Sequence, residues 1–339
     1  MVIHPRQILL GAQAAANVLP VCDHYSGVEA RMRKSLALQA DLMQEFGACV
    51  VDVTLDCEDG ARVGGEREHA DMVVALANEA MVQAVATGAT GRPRIAVRVH
   101  PVGHSAFEQD IETIVSGAGA GLCHLMIPKV ESVQDVDAVV AAVDRASKTG
   151  NRTDALPLHV LLESPAAVHR AFDIAAHVRV QSVSFGLMDF VSSHGGAIPA
   201  AGMSVEGQFS HPLVVRAKLE ISSACHAHGK VPSHCVVTEF RDLDALQRAA
   251  TVAARDFGYT RMWSIHPGQI RTIIAAFAPA RTDIDIAAHI IAAAHKVDWA
   301  PLELAGQLHD RASYRFFWHI LERAHQTGQT MPSEVSAFF

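Results

Sequence analysis

Two short apolar runs in this chain each lead into a single carboxylate. Leu161-Leu162 runs into Glu163, followed by Ser164-Pro165, and Phe185-Gly186-Leu187-Met188 runs into Asp189. Two carboxylates presented at the same end of neighbouring strands make a hard-oxygen site suited to Mg²⁺, or to Mn²⁺ in its place. Such an ion keeps several waters and then accepts substrate oxygens. A third run, Ile95-Ala96-Val97-Arg98-Val99, carries a charge inside an apolar strand. A charge there is costly unless it is paired or used. An arginine beside two carboxylates and a metal can grip a substrate carboxylate in bidentate fashion. Metal plus arginine is a site for a small oxo-acid.

The elements that must hold these groups alternate along the chain. Apolar, β-rich runs at 48–55, 94–99, 122–127, 158–162, 182–185, 231–237 and 261–265 read as strands, with a weaker one at 17–22. Helical periodicity marks 29–46, 66–85, 107–115, 133–146, 166–177, 212–228, 242–256 and a last helix reaching Phe277. Pro165 suits a helix start. Strands alternating with helices pair in parallel, and about eight such units in roughly 260 residues is the size of a (β/α)8 barrel. An open doubly wound sheet shares the alternation, but no Gly-x-Gly-x-x-Gly follows an early strand, so a dinucleotide fold loses support. Functional groups of such a barrel gather at the C-terminal ends of its strands. Asp56, Glu58, Arg98, Lys129, Glu163, Asp189 and His266 all fall there. The fold expected is thus an α/β (β/α)8 TIM barrel over 1–280, with a C-terminal helical extension over 281–339 acting as a cap or oligomer arm.

Composition narrows the classes. Half of the 339 residues are hydrophobic, ample for a sizeable core, and the formal net charge is −8. No basic stripe is present, so nucleic acid is not an expected partner. No apolar run reaches the length of a membrane span. Residues 8–16 faintly resemble a secretion signal, but the run is short and Gln13 and Asn17 interrupt it. Cys22, Cys49, Cys57, Cys123, Cys225 and Cys235 show no paired metal spacing. Several lie in strand-like runs, where a cysteine serves as a small buried hydrophobe, and a reducing cytoplasm is the expected compartment. The 20 histidines invite a zinc reading, yet His24, His194, His211, His226, His228 and His234 are spread over separate units and no His-Glu-x-x-His occurs. Zinc is not expected.

Read in order, the motifs resemble the citrate lyase β-subunit-like and malyl-CoA lyase-like family of the HpcH/HpaI aldolase superfamily. The matching pieces are Leu55-Asp56-Cys57-Glu58-Asp59-Gly60, Val97-Arg98-Val99-His100-Pro101, Met126-Ile127-Pro128-Lys129-Val130-Glu131-Ser132, Leu162-Glu163-Ser164-Pro165, Phe185-Gly186-Leu187-Met188-Asp189, Thr238-Glu239-Phe240-Arg241-Asp242 and Ser264-Ile265-His266-Pro267-Gly268-Gln269-Ile270. The resemblance implies a Mg²⁺ ion held by Glu163 and Asp189. It implies Arg98 binding the oxo-acid and polarising its carbonyl, and a carbon–carbon bond made or broken beside a carbonyl. Arg98, Glu58 and Asp56 form the expected catalytic set, with Glu58 and Asp59 orienting Arg98 or metal-bound waters. Lys129 divides evenly between a structural pair to Glu58 and an active-site charge, and Arg98, His100 and Lys129 form the expected substrate-binding set. A homo-oligomer, trimer or hexamer, is expected.

The sequence departs from that pattern in several places. The family places asparagine where His100 stands, in Val-Arg-x-Asn-Pro. The stretch Gly229-Lys230-Val231-Pro232-Ser233-His234-Cys235-Val236 stands where the family has an aspartate near the next strand end. The glycine-rich entry loop is echoed only by His24-Tyr25-Ser26-Gly27. The tail does not match the lid by which a neighbouring subunit contributes an aspartate, and Asp298 is the candidate for that group. His100 follows Arg98 by two, which places both on one face of a continuing strand, so His100 is expected to meet substrate or a metal-bound water. Three functions fit: a Mg²⁺-dependent lyase on a hydroxyacyl-CoA such as malyl-CoA or citramalyl-CoA, a metal-dependent aldolase on free hydroxy-oxo acids with pyruvate as enolate donor, or a non-catalytic barrel. The carboxylate pair and arginine speak against the last, because charge buried without use costs stability.

Overall fold

The computed structural model describes residues 4–11, 14, 18–86, 91–150, 152 and 154–339. Eight parallel strands close into a barrel in chain order: β1 (Cys22–Ser26), β2 (Val51–Asp56), β3 (Ile95–Arg98), β4 (Leu122–Ile127), β5 (Leu158–Leu162), β6 (Val180–Phe185), β7 (Val231–His234) and β8 (Arg261–Ser264). β8 returns to β1, with Cys22 beside Met262. Helices α2 (Glu29–Phe46), α3 (Glu66–Ala86), α4 (Phe107–Ala118), α5 (Val133–Thr149), α6 (Pro165–His169), α7 (Ala171–Ala176), α8 (Leu187–Ser192), α9 (Pro212–Ala227), α10 (Leu243–Arg255) and α11 (Ile270–Phe277) connect the strands, and α1 (Pro5–Leu10) precedes them. This is a (β/α)8 TIM barrel. The core lies between strands and helices, where Val53, Ile95, Val97, Ile111, Ile114, Val139 and their neighbours are fully buried.

Two local differences from the sequence reading have physical causes. The first strand starts at Cys22 rather than ending there, because Asp23, His24 and Ser26 make it look polar. Inside the barrel these groups find partners: Thr54 donates to Asp23 at 2.7 Å, and His24 Nδ1 meets Ser264 Oγ at 2.7 Å. Asn17, at the start of the expected strand, and residues 12, 13, 15 and 16 of the signal-like run lie outside the described residues. The helix expected at 166–177 is broken at Arg170, whose guanidinium donates to the Glu131 carbonyl at 3.1 Å.

The extension holds α12 (Arg281–Lys296) and α13 (Arg311–Gln326), joined by an antiparallel hairpin of β9 (Leu302–Leu304) and β10 (Gln307–His309). Helical pattern alone misses this hairpin. Its two-residue turn is Ala305-Gly306, with φ of 50° and 78°, the twist that suits tight hairpins. Leu9 and Leu10 of α1 bury themselves with Ile284, Ile291, Trp318 and Leu321. The first helix therefore packs with the extension rather than with the barrel core. Among the described residues no helix is long and apolar enough to cross a membrane.

Candidate active site at the barrel mouth

Glu163 follows β5 directly. Ser164 accepts from the Ala167 N–H at 3.1 Å, and Pro165 occupies the first turn of α6. That cap fixes the chain where it leaves the strand and so fixes Glu163. One step round the barrel, Gly186 ends the turn after β6, its N–H bonded to the Leu162 carbonyl at 3.1 Å. Asp189 then sits in the first turn of α8. Glu163 is buried, and its carboxyl is pushed up to about 7, first by burial and then by the charges of Asp189 and Glu58. Its Oε2 accepts from the Lys129 backbone N–H at 2.8 Å. Lys129 adopts φ 52° to point that N–H inward, a conformation costly for a side chain with Cβ and characteristic of functional turns. Lys129, Glu163, Asp189, Ser192 and Ser193 line a cleft of about 260 Å³.

Arg98 ends β3 and is held from several sides. Its Nε and Nη2 donate to the two oxygens of Asp56 at 2.6 and 2.8 Å. Nη1 lies 2.9 Å from Glu58, Nη2 lies 2.7 Å from Asp59, and the Tyr25 ring covers the guanidinium at 4.8 Å. Burial opposes its charge, but hydrogen bonds and charge from Asp56, then the charge of Glu58, keep it protonated well above its usual range. Glu58 also takes the Lys129 ammonium. One contact chain thus runs from Arg98 through Glu58 and Lys129 to Glu163.

Asp56 sits where two backbones cross. A Cβ on Gly60 would lie 2.3 Å from the Asp56 carbonyl oxygen and 2.5 Å from that of Gly27, so only glycine permits this approach. Gly27 was legible only as part of a loose entry-loop echo; its task here is to let the loop after β1 press against the one after β2.

Arg98, Asp56, Glu58, Asp59, Lys129, Glu163 and Asp189 are therefore assembled at one mouth. Three other candidates stand elsewhere. His100 Nδ1 meets Asp110 of α4 at 2.6 Å, its N–H bonds the same oxygen at 3.1 Å, and its ring stacks on His104 at 4.3 Å. Alternation along a strand put His100 on the face of Arg98, but β3 ends at Arg98 and the side chain turns to α4. His266 caps the turn after β8 by accepting from the Gly268 N–H, and stacks on Phe240 at 5.2 Å. Asp298 lies in the turn after α12, at φ 52°. Tyr25 stands in sequence only within the loose entry-loop echo, and Ser192 and Ser193 carry no spacing signal.

Lower in the barrel lies a second polar cluster that sequence did not disclose. His124 and His159 stack face to face, 3.4 Å apart and tilted by 13°. Asp23 Oδ2, His124 Nε2 and His159 Nδ1 are buried without hydrogen bonds, and these residues bring their ligand atoms within 4.8 Å of one another. A cation does not suit them. Lone pairs of two stacked rings run parallel rather than converging, and Arg261 already lies 2.7 Å from both Asp23 and Asp52. Arg261 and Asp23 pair by charge. Met126, Leu161 and Trp263 form an apolar layer inside the same barrel. A larger groove, about 470 Å³, opens between α2 and α3 and brings no comparable set of groups together.

Comparison with known proteins bears on the family and the fold. The family model of HpcH/HpaI aldolase/citrate lyase matches residues 35–267. The L-malyl-CoA/beta-methylmalyl-CoA lyase of Cereibacter sphaeroides is 30% identical over 263 residues, spanning 74% of this chain and 80% of that protein. The crystal structure of a citrate lyase from Burkholderia xenovorans LB400 superposes with a TM-score of 0.80 at 45% identity, covering 96% of this chain and 98% of the other. The CitE protein of Mycobacterium tuberculosis, solved with magnesium, acetoacetate and coenzyme A, shares the fold at a TM-score of 0.64 and 21% identity, over 91% and 98% of the two chains. With the family model covering most of the barrel, the chain belongs to the HpcH/HpaI aldolase/citrate lyase family and is a carbon–carbon lyase.

Proposed function

We propose that the chain is a Mg²⁺-dependent lyase that cleaves a hydroxyacyl-CoA of the malyl-CoA or citramalyl-CoA type into an oxo-acid and an acyl-CoA. One observation carries the reading: the contact chain from Arg98 through Glu58 and Lys129 to Glu163 joins an anion-binding guanidinium to a carboxylate pair. The donor set fits the ion. Glu163 and Asp189 are hard oxygen donors, and burial, then the charges of Asp189 and Glu58, drives Glu163 toward protonation; a divalent cation would offset both the burial cost and the repulsion. Glu163 and Asp189 would hold Mg²⁺, or Mn²⁺ in its place. The names of the Cereibacter lyase and the contents of the Mycobacterium complex support the same choice of thioester and metal.

When bound, Mg²⁺ supplies Lewis acidity to oxygens of the oxo-acid. The remaining work falls to side chains. Arg98 binds the carboxylate end, and Asp56 and Glu58 hold the guanidinium still, so no reorganisation is needed as charge develops. A base takes the hydroxyl proton, the freed oxygen pair forms the carbonyl of the oxo-acid as the bond to the carbon next to the thioester breaks, and the thioester enolate that keeps that bond's electrons takes a proton to become acyl-CoA. Lys129 fixes Glu58 through its ammonium and Glu163 through its backbone. Tyr25 shields one face of the guanidinium from water. His100, committed to Asp110, is assigned to seating α4 against the strand end that carries Arg98.

The test is a substrate screen with Mg²⁺ and mass-spectrometric detection, setting malyl-CoA and citramalyl-CoA against free hydroxy-oxo acids. The expected result is oxo-acid plus acyl-CoA from a thioester, lost in chelator. Turnover of free acids alone would replace this reading with the pyruvate-type aldolase.

A further inference from the structure

Arg98 offers five N–H groups, and its three carboxylate partners are not equivalent. Asp56 takes the Nε–Nη2 fork through both oxygens, at 2.6 and 2.8 Å, and its side chain is 1% exposed. Glu58 takes Nη1, is 8% exposed and is held in turn by Lys129. Asp59 takes the remaining Nη2 hydrogen at 2.7 Å and is 68% exposed. Its backbone is pinned, because the adjoining Gly60 packs against Gly27 and the Asp56 carbonyl. Only the side chain of Asp59 is free to turn into water.

We propose that Asp59 is a displaceable gate on Arg98: its exposed carboxylate occupies the guanidinium position that a substrate carboxylate must take, and it swings into solvent when an oxo-acid anion binds. The proposal rests on the reading of Arg98 as the anion-binding residue. Charge supports it. Asp56, Glu58 and Asp59 already surround the two cations Arg98 and Lys129, and Glu163 and Asp189 stand beyond them. A further anion arriving with Asp59 in place would meet net repulsion, whereas an exchange of one carboxylate for another leaves the charge at Arg98 unchanged. Loss of an exposed ion pair is cheap, so the swap is thermodynamically accessible. A neutral molecule gains nothing at Arg98 that offsets the lost pair. Asp59 would therefore restrict the site to anions, a specificity role that Asp56 and Glu58 cannot share because they are fixed.

The experiment measures pyruvate binding to the full-length protein by calorimetry in saturating Mg²⁺, for wild type, Asp59→Asn, Asp59→Ala and Arg98→Lys, with melting temperatures alongside. Removing a competing exposed carboxylate should tighten pyruvate binding about fivefold in both Asp59 variants, with the fold retained and binding lost in Arg98→Lys. Wild-type binding with unchanged or weaker affinity in Asp59→Asn and Asp59→Ala would overturn the gate alone and make Asp59 a brace. Absence of pyruvate binding in folded wild type and in both Asp59 variants would overturn the anion-site reading of Arg98, and the gate with it.

Discussion

Gly186 stands directly against Glu163: a Cβ built on Gly186 would lie 2.5 Å from both Cγ and Oε1 of Glu163. Gly186 has φ −94°, so its glycine identity is required by space and not by backbone conformation. Glu163 has little room to yield, because its other oxygen is bonded to the Lys129 N–H. Gly186→Ala should therefore push the carboxylate out of line with Asp189. We expect Mg²⁺ affinity and kcat to fall by at least tenfold while circular dichroism stays that of the wild type. Wild-type metal affinity in this variant would remove Glu163 from the cation site.

Glu163 also links metal binding to pH. Its folded pKa is raised from 4.5 to about 7, so the metal-free native state holds a proton there that the unfolded chain has lost. Stability of the metal-free protein from this group falls as pH rises from about 4.5 through about 7, by a total on the order of 3 kcal/mol. Mg²⁺ binds the ionised form, so its apparent affinity should drop about tenfold for each pH step below 7. The rise in melting temperature on adding Mg²⁺ should grow from pH 6 to pH 8 and shrink markedly in Glu163→Gln. A rise independent of pH would place the ion elsewhere.

Arg98→Lys separates anion binding from charge. Lysine can keep a positive charge near Asp56 but cannot serve both its oxygens together with Glu58. We expect kcat/KM to fall by about a hundredfold or more in the folded fraction. The melting temperature should fall by a few degrees, since the Asp56 carboxylate loses one of two short bonds. Full activity in the folded fraction would make Arg98 purely structural.

The parts of this molecule that were legible in sequence are those governed by local pattern. Apolar strand runs closed by Pro101, Pro128 and Pro165 mark β3, β4 and β5, and the strand-end rule collects Arg98, Glu163 and Asp189 without any tertiary knowledge. What stayed hidden depends on pairing across the barrel. Asp23 makes β1 look like a loop until Thr54 and Arg261 are seen to satisfy it. His124 and His159 lie 35 positions apart on neighbouring strands, and no spacing within one segment announces a stack. His100 was placed by alternation that presumed a longer strand. Asp56 looked like part of the catalytic set and is seen gripping Arg98 with both oxygens, a distinction that distances alone can make.

The stacked histidines give the last prediction, on acid stability. Burial, then the charge of Arg261, lowers His159 to about 3, and burial, then His159, holds His124 well below its usual range. Both rings are neutral in the native barrel, and a proton on either would set a cation against its stacked partner and beside Arg261. In the unfolded chain each titrates near 6.5. Below that pH the unfolded state binds protons the native state refuses, so stability from these groups, full above about 6.5, is lost progressively as pH falls toward 3. Each histidine contributes a slope of about 1.4 kcal/mol per pH step, and Glu163 offsets one of the two between about 7 and 4.5. His159→Gln should remove one proton from this linkage. Denaturant unfolding at pH 6.5, 5.75 and 5 should show a shallower loss of stability in the variant than in wild type, whatever the variant costs at pH 7. Identical slopes in the two proteins would mean that His159 is protonated in the folded barrel, and the neutral stack would have to be abandoned.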